Sequence, residues 1–192
     1  MSQFTFLPLL LLSGLLGTAV WHDIRSRRIP NAIVFAGALA GLALHLLLPA
    51  GAGLFAAPMG GLGWASSLGG LALGLLVLMP MYALRLMGAG DVKLLAMVGA
   101  FVGAGAILPI TVAIFAAGGV LALLFALGQG SLRPLLRNAW QMMIYSGWSA
   151  LSGRLAVAPP VAASGRLPYA VAIAAGTMLC VLSLQLRGTL PL

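Results

Sequence analysis

Acidic residues are almost missing from this sequence. Its 192 residues include two aspartates, Asp23 and Asp91, and no glutamate. An H-E-x-x-H zinc peptidase is therefore excluded, because the glutamate of that motif is its general base. Histidine is nearly as scarce, with only His22 and His45. Neither follows Ser146 or Ser164 in the chain, which excludes a rhomboid-like order of serine and then histidine. The single cysteine, Cys180, lies in an apolar run, so neither a disulfide framework nor a four-cysteine zinc site can form. Charge as a whole is depleted to 6% of residues, against about 25% in soluble domains. A soluble catalytic module is thereby ruled out, and any chemistry belongs at or within a bilayer.

What remains is hydrophobic, at 62% of residues. At roughly 20 residues per spanning helix the length holds about six or seven spans. Glycine, proline and charge bound the apolar runs at about 4–21, 33–48, 62–84, 92–108, 111–127 and 169–186. The expected fold is all-α: a polytopic membrane protein of about six transmembrane helices, forming a single transmembrane domain over 1–192. Pro80 should kink the third helix, and the fourth and fifth should part between Leu108 and Thr111, around Pro109.

Ten Lys and Arg give a net charge of +8. In a soluble protein that would suggest nucleic acid, but here the positive-inside rule accounts for it, and no nucleic-acid partner is expected. The first apolar run has no basic residues before it, so it reads as an uncleaved anchor with its N-terminus outside. Alternating loops then place Arg25, Arg27, Arg28, Arg85, Lys93, Arg133, Arg137, Arg154 and Arg166 in the cytoplasm and Arg187 outside, while the loop 49–61 carries no charge. Gly37 with Gly41, Gly70 with Gly74, and Gly99 with Gly103 have the GxxxG spacing that permits close helix packing. The segment at about 128–168 carries Arg133, Arg137 and Gln141 on one helical face and Trp140 and Met143 on others, as expected of a cytoplasmic interfacial helix.

Both aspartates fall at cytoplasmic helix ends. A carboxylate near hydrocarbon is costly unless paired, solvated or protonated, which makes each a functional candidate. Pairing alone would be a structural explanation, Asp23 with Arg27 and Asp91 with Lys93 or Arg85. If the two carboxylates meet, they can share one proton, so that one activates water while the other protonates a carbonyl oxygen. A Ser26–Lys93 dyad has no spacing to support it, and both histidines read as structural or incidental. A proton-coupled transporter with the aspartates as relay groups is the alternative from another class; it would place them near the bilayer midplane.

The residues around the aspartates carry a resemblance. Asp23-Ile24-Arg25-Ser26-Arg27-Arg28-Ile29-Pro30-Asn31 resembles the D-x-[KR]-x-x-x-[IVL]-P-[ND] signature of type IV prepilin peptidases, and Gly88-Ala89-Gly90-Asp91-Val92-Lys93 resembles their GxGD motif with its lysine. The stretch Leu167-Pro168-Tyr169-Ala170 through Gly176 is similar to the family's last helix. The three occur in the family's order and span nearly the whole chain. The resemblance implies a GxGD aspartyl protease that removes the short leader of prepilins or pseudopilins at the cytoplasmic face of a bacterial inner membrane.

Asp23 and Asp91 would then be the catalytic pair. Gly88 and Gly90 would permit unusual backbone and close approach of substrate, Pro30 would end the helical path ahead of Asn31, and Lys93 would bias the local charge. Preflagellin-type and presenilin-like GxGD proteases remain related alternatives. Larger family members carry an N-terminal segment with paired CxxC motifs and also N-methylate their product. This sequence resembles the minimal form found with tight-adherence (Flp-type) pilus systems, which implies peptidase activity without methyl transfer. No metal or organic cofactor is implied.

Overall fold

The structure is a computed structural model that describes residues 6–47, 63–84, 87–128, 130, 137, 140–141 and 168–187. Among the described residues five helices follow in order: α1 (Phe6–Ser26), α2 (Asn31–Leu47), α3 (Trp64–Ala83), α4 (Ala89–Gly128) and α5 (Tyr169–Arg187). The protein is all-helical, as its composition requires, since a helix satisfies its backbone polar groups internally where no water is available. Three stretches are long and apolar enough to cross a membrane, Leu7–Ser26, Trp64–Ala83 and Ala89–Gly128; α2 and α5 are shorter apolar helices. Hydroxyls within these helices return to their own backbone, Ser13 Oγ to the Leu10 carbonyl at 3.0 Å and Thr18 Oγ1 to that of Leu15 at 2.8 Å.

The chain divides into two compact units, Met1–Gly118 with Pro168–Leu192, and Gly119–Leu167. The second contains the end of α4 and the exposed residues Arg137, Trp140 and Gln141. Most of the expected interfacial segment 128–168, including Arg133 and Met143, lies outside the described residues, as do Arg85 and the loop 49–61.

In the first unit α1 lies beside α2 and α5, and α2 beside α3. The first half of α4 is the centre of the core: Leu94, Leu95, Met97, Val98, Phe101 and Val102 are all buried. A helix apolar on every face belongs in such a position. Around it pack Leu12 and Leu16 of α1, Val34 of α2, Leu78 of α3 and Ile173 of α5. Small residues set these approaches. A Cβ on Gly70 would strike the backbone of Gly99 and Gly103, and one on Gly74 would lie 2.6 Å from the Leu95 carbonyl oxygen. Gly41 packs in the same manner on Ala100 and Phe101, and Gly37 on Met97. The glycine spacings therefore mark real helix contacts between α4 and its neighbours α2 and α3.

α4 breaks where the sequence did not suggest. Gly103 has φ 78° and ψ 174°, so Ala89–Gly128 is two helical segments joined at a kink. The expected break around Pro109 is thus corrected: Pro109 lies inside the second segment, which continues through it. A proline inside a helix removes one backbone donor, whereas the Gly103 conformation is open essentially to glycine alone. α3 continues through Pro80 to Ala83.

A helix break frees the carbonyls of the turn before it. Ser67 Oγ donates to the Ala100 carbonyl at 2.6 Å, and His45 Nε2 lies 3.0 Å from that of Phe101. A carbonyl can only accept, so Nε2 carries the hydrogen. His45 is thus a structural residue, as the sequence reading held.

Candidate active site

Asp23 stands in the last turn of α1, where the chain must leave the helix. The exit is made by Arg27, whose φ of 54° is left-handed and whose N–H donates to the Asp23 carbonyl at 2.9 Å. This is a helix-ending turn usually made by glycine. Pro30 then separates α1 from α2, and its carbonyl accepts the Ile33 N–H at 3.2 Å in the first turn of α2. The turn leaves Asp23 facing inward, 8% exposed, while Ile24 and Arg25 beside it are exposed.

Asp91 stands in the first turn of α4 and is partly buried. Gly88 caps that turn, its carbonyl accepting the N–H groups of Asp91 at 3.2 Å and Val92 at 3.5 Å. The carboxylates of Asp23 and Asp91 interact electrostatically, as do Asp91 and the Tyr169 phenol. Two residues far apart in sequence and on different helices are thus within electrostatic reach of each other.

The two signature stretches also hold each other. Ile29 packs against Gly90, its side-chain carbons 3.4–3.5 Å from where a Cβ would sit. Lys93 Nζ donates to Asn31 Oδ1 at 3.1 Å and lies 6.0 Å from the centre of the Phe35 ring. Ile29, in the turn after α1, and Asn31, at the start of α2, therefore tie the first signature stretch to the start of α4. Gly88 and Gly90 correct an expectation, because neither has a positive φ; the described glycines that do are Gly103 and Gly130. A methyl at Gly88 would lie 3.4 Å from Asp91 Oδ2, and one at Gly90 3.4–3.5 Å from the side-chain carbons of Ile29, ordinary contact distances in both cases.

One further partner comes from the far end of the chain. The Ala170 backbone N–H donates to Asp23 Oδ2 at 3.2 Å in a buried contact. Residue types could not reveal it, since the donor is main chain; the only local signal is Pro168, which precedes the start of α5. Among the described residues no cluster of three His, Cys, Asp or Glu side chains exists that could hold a metal ion.

A family model for the type IV leader peptidase family matches residues 10–127. The matched region runs through α1, α2, α3 and nearly all of α4, and includes both aspartates and both signature stretches. The chain belongs to the type IV leader peptidase family. A member of this family is a leader-peptidase-like protease embedded in a membrane, which agrees with the apolar helices found here. Neither the curated proteins nor the solved structures compared with the chain yield a match. Within this leader peptidase the residues 168–170 lie beyond the matched region.

Proposed function

We propose that the protein is an aspartyl endopeptidase that cuts the short leader from Flp-type prepilins or pseudopilins at the cytoplasmic face of the bacterial inner membrane. The observation that carries this reading is the electrostatic interaction between the chain's only acidic side chains, Asp23, which is buried, and Asp91, which is partly buried. In the proposed reaction one carboxylate takes a proton from water as its oxygen attacks the scissile carbonyl carbon, and the other gives its proton to the carbonyl oxygen. Collapse of the tetrahedral adduct breaks the C–N bond, with the proton taken from water passing to the leaving amine. Products are the leader carboxylate and a new amino terminus on the pilin. Two carboxylates held together supply both the base and the acid without a metal or an organic cofactor.

Gly88 leaves the Asp91 carboxylate uncovered for an extended substrate strand, and the Lys93–Asn31 and Gly90–Ile29 contacts hold the two motif segments in register. The substrate is itself a membrane helix, whose cytoplasmic end must unwind to present an amide; such backbone is tolerated only inside protein or a wet cavity. In this reading the chain crosses the membrane six times, N-terminus outside, with nine of its ten basic residues in the cytoplasm. We include leader removal without methyl transfer, because the sequence has one cysteine, and Cys180 is buried in α5.

The test is cleavage of a Flp-type prepilin by wild type and by Asp23→Asn and Asp91→Asn, with membrane insertion checked. Amide replacement keeps size and abolishes proton exchange. Loss of cleavage in both inserted variants supports the reading, and cleavage by both refutes it.

A further inference from the structure

We propose that the amino end of α5 is part of this site, with the Ala170 N–H as the positioning donor that fixes the Asp23 carboxylate and so determines which of its oxygens meets water. The inference rests on the peptidase reading above and adds a residue that lies outside the region matched by the family model. Amides in the first turn of a helix have no partner within it. At the start of α5 the Val171 N–H turns back to the Pro168 carbonyl at 3.2 Å, whereas that of Ala170 is directed to Asp23 Oδ2 at 3.2 Å. Ala170 is fully buried, so bulk water does not compete for this bond.

The donor is carried on a fixed element. Tyr169 packs its ring on Gly118, within 3.0–3.4 Å of the Cβ position, and further along α5 Gly176 lies against the Ile114 backbone, 2.6 Å from Cβ position to Cα. Both contacts tie α5 to the second segment of α4, and α1 lies beside α5. From the packed elements, the titratable groups at this place are Asp91 of α4 and Tyr169 of α5. A carboxylate terminates in a broad, soft torsion. One donor on Oδ2 restrains that torsion, so that Oδ1 is the oxygen that would meet the water to be deprotonated. Orientation of this kind raises kcat without adding substrate affinity.

The test replaces Ala170 by lactate, which exchanges the N–H for an ester oxygen, with Ala170→Gly as the variant that keeps the N–H. With a Flp-type prepilin as substrate, the ester is expected to lower kcat about ten- to a hundredfold, the range for a hydrogen bond to a charged group. KM should stay within about twofold, and Ala170→Gly, which keeps the N–H, should lose less kcat than the ester. An ester variant that inserts normally and keeps the wild-type kcat would overturn the proposal, as would a loss seen in KM alone. If wild type itself fails to cleave prepilin, the peptidase reading fails first. Hydrogen exchange then decides the contact: protection of the Ala170 amide should fall in Asp23→Ala, and unchanged protection overturns it.

Discussion

Gly70→Ala is the substitution whose effect the packing specifies most closely. A methyl built on Gly70 would run into the Gly99 carbonyl oxygen and stand 2.6 Å from the Gly103 carbonyl carbon and 2.8 Å from its Cα. Comfortable carbon contacts begin at about 3.5 Å, so α3 and α4 must separate by roughly an ångström. The obstructing atoms are all backbone, and no change of rotamer relieves them. Overpacking of a well-filled core costs about 1–3 kcal/mol, and a backbone obstruction belongs near the top of that range. Alanine returns about 0.8–1.0 kcal/mol of intrinsic helix preference, which leaves a net loss of about 2 kcal/mol. Gly14 and Gly17 on α1 are the controls, because nothing lies within 4 Å of a Cβ at either. Gly14→Ala and Gly17→Ala should be neutral or stabilised by up to about 1 kcal/mol. Reversible unfolding of the purified protein in mixed micelles with increasing SDS gives the three values on one scale. Should Gly70→Ala prove as stable as Gly17→Ala, the close backbone contact between α3 and α4 would be wrong, and with it the account of the glycine spacings.

Three other outcomes follow from the same structure. Ser67→Ala and His45→Phe each strand a carbonyl at the α4 break, of Ala100 and Phe101 respectively, and each should cost about 1–3 kcal/mol in the same unfolding assay; a loss below about 0.3 kcal/mol in both would mean the carbonyls have other partners. Thr177 is fully buried and its Oγ1 has no hydrogen-bond partner among the described residues, so Thr177→Val should be neutral or stabilising, and a melting temperature lowered by several degrees would count against that. Lys93→Met and Asn31→Ala, combined in a double-mutant cycle, should show a coupling of about 0.5–1.5 kcal/mol, with zero coupling refuting the bond between the two motif segments.

Much of the site was legible as residue types. With two carboxylates and no glutamate, the candidate acids were settled by counting, and the segments around them resembled a known signature. Their partners were less legible. Asn31 and Lys93 could be named as motif residues, but their hydrogen bond depends on how α2 meets α4. Gly88 and Gly90 were read as permitting unusual backbone and close approach of substrate; neither has a positive φ, and a Cβ at either would make ordinary contacts with Asp91 or Ile29. Such contacts cannot be read from spacing, because they depend on what stands opposite.

The sequence by itself determined that the protein is helical and made for a membrane, since long apolar runs have no other way to satisfy their backbone in hydrocarbon. It also marked Pro30 as lying between two helices, although the exit from α1 is made earlier, at Arg27. Only the tertiary structure decided where α4 breaks. Proline at position 109 is the stronger local signal, yet the break falls at Gly103, where the backbone meets Gly70 and where Ser67 and His45 reach the freed carbonyls. Tertiary structure likewise decided that Asp23 and Asp91 interact electrostatically, and that a main-chain amide from α5 reaches Asp23. A backbone N–H is present at nearly every residue, so nothing in the identity of Ala170 marks it; only the packing of α5 on α1 and α4 selects that one.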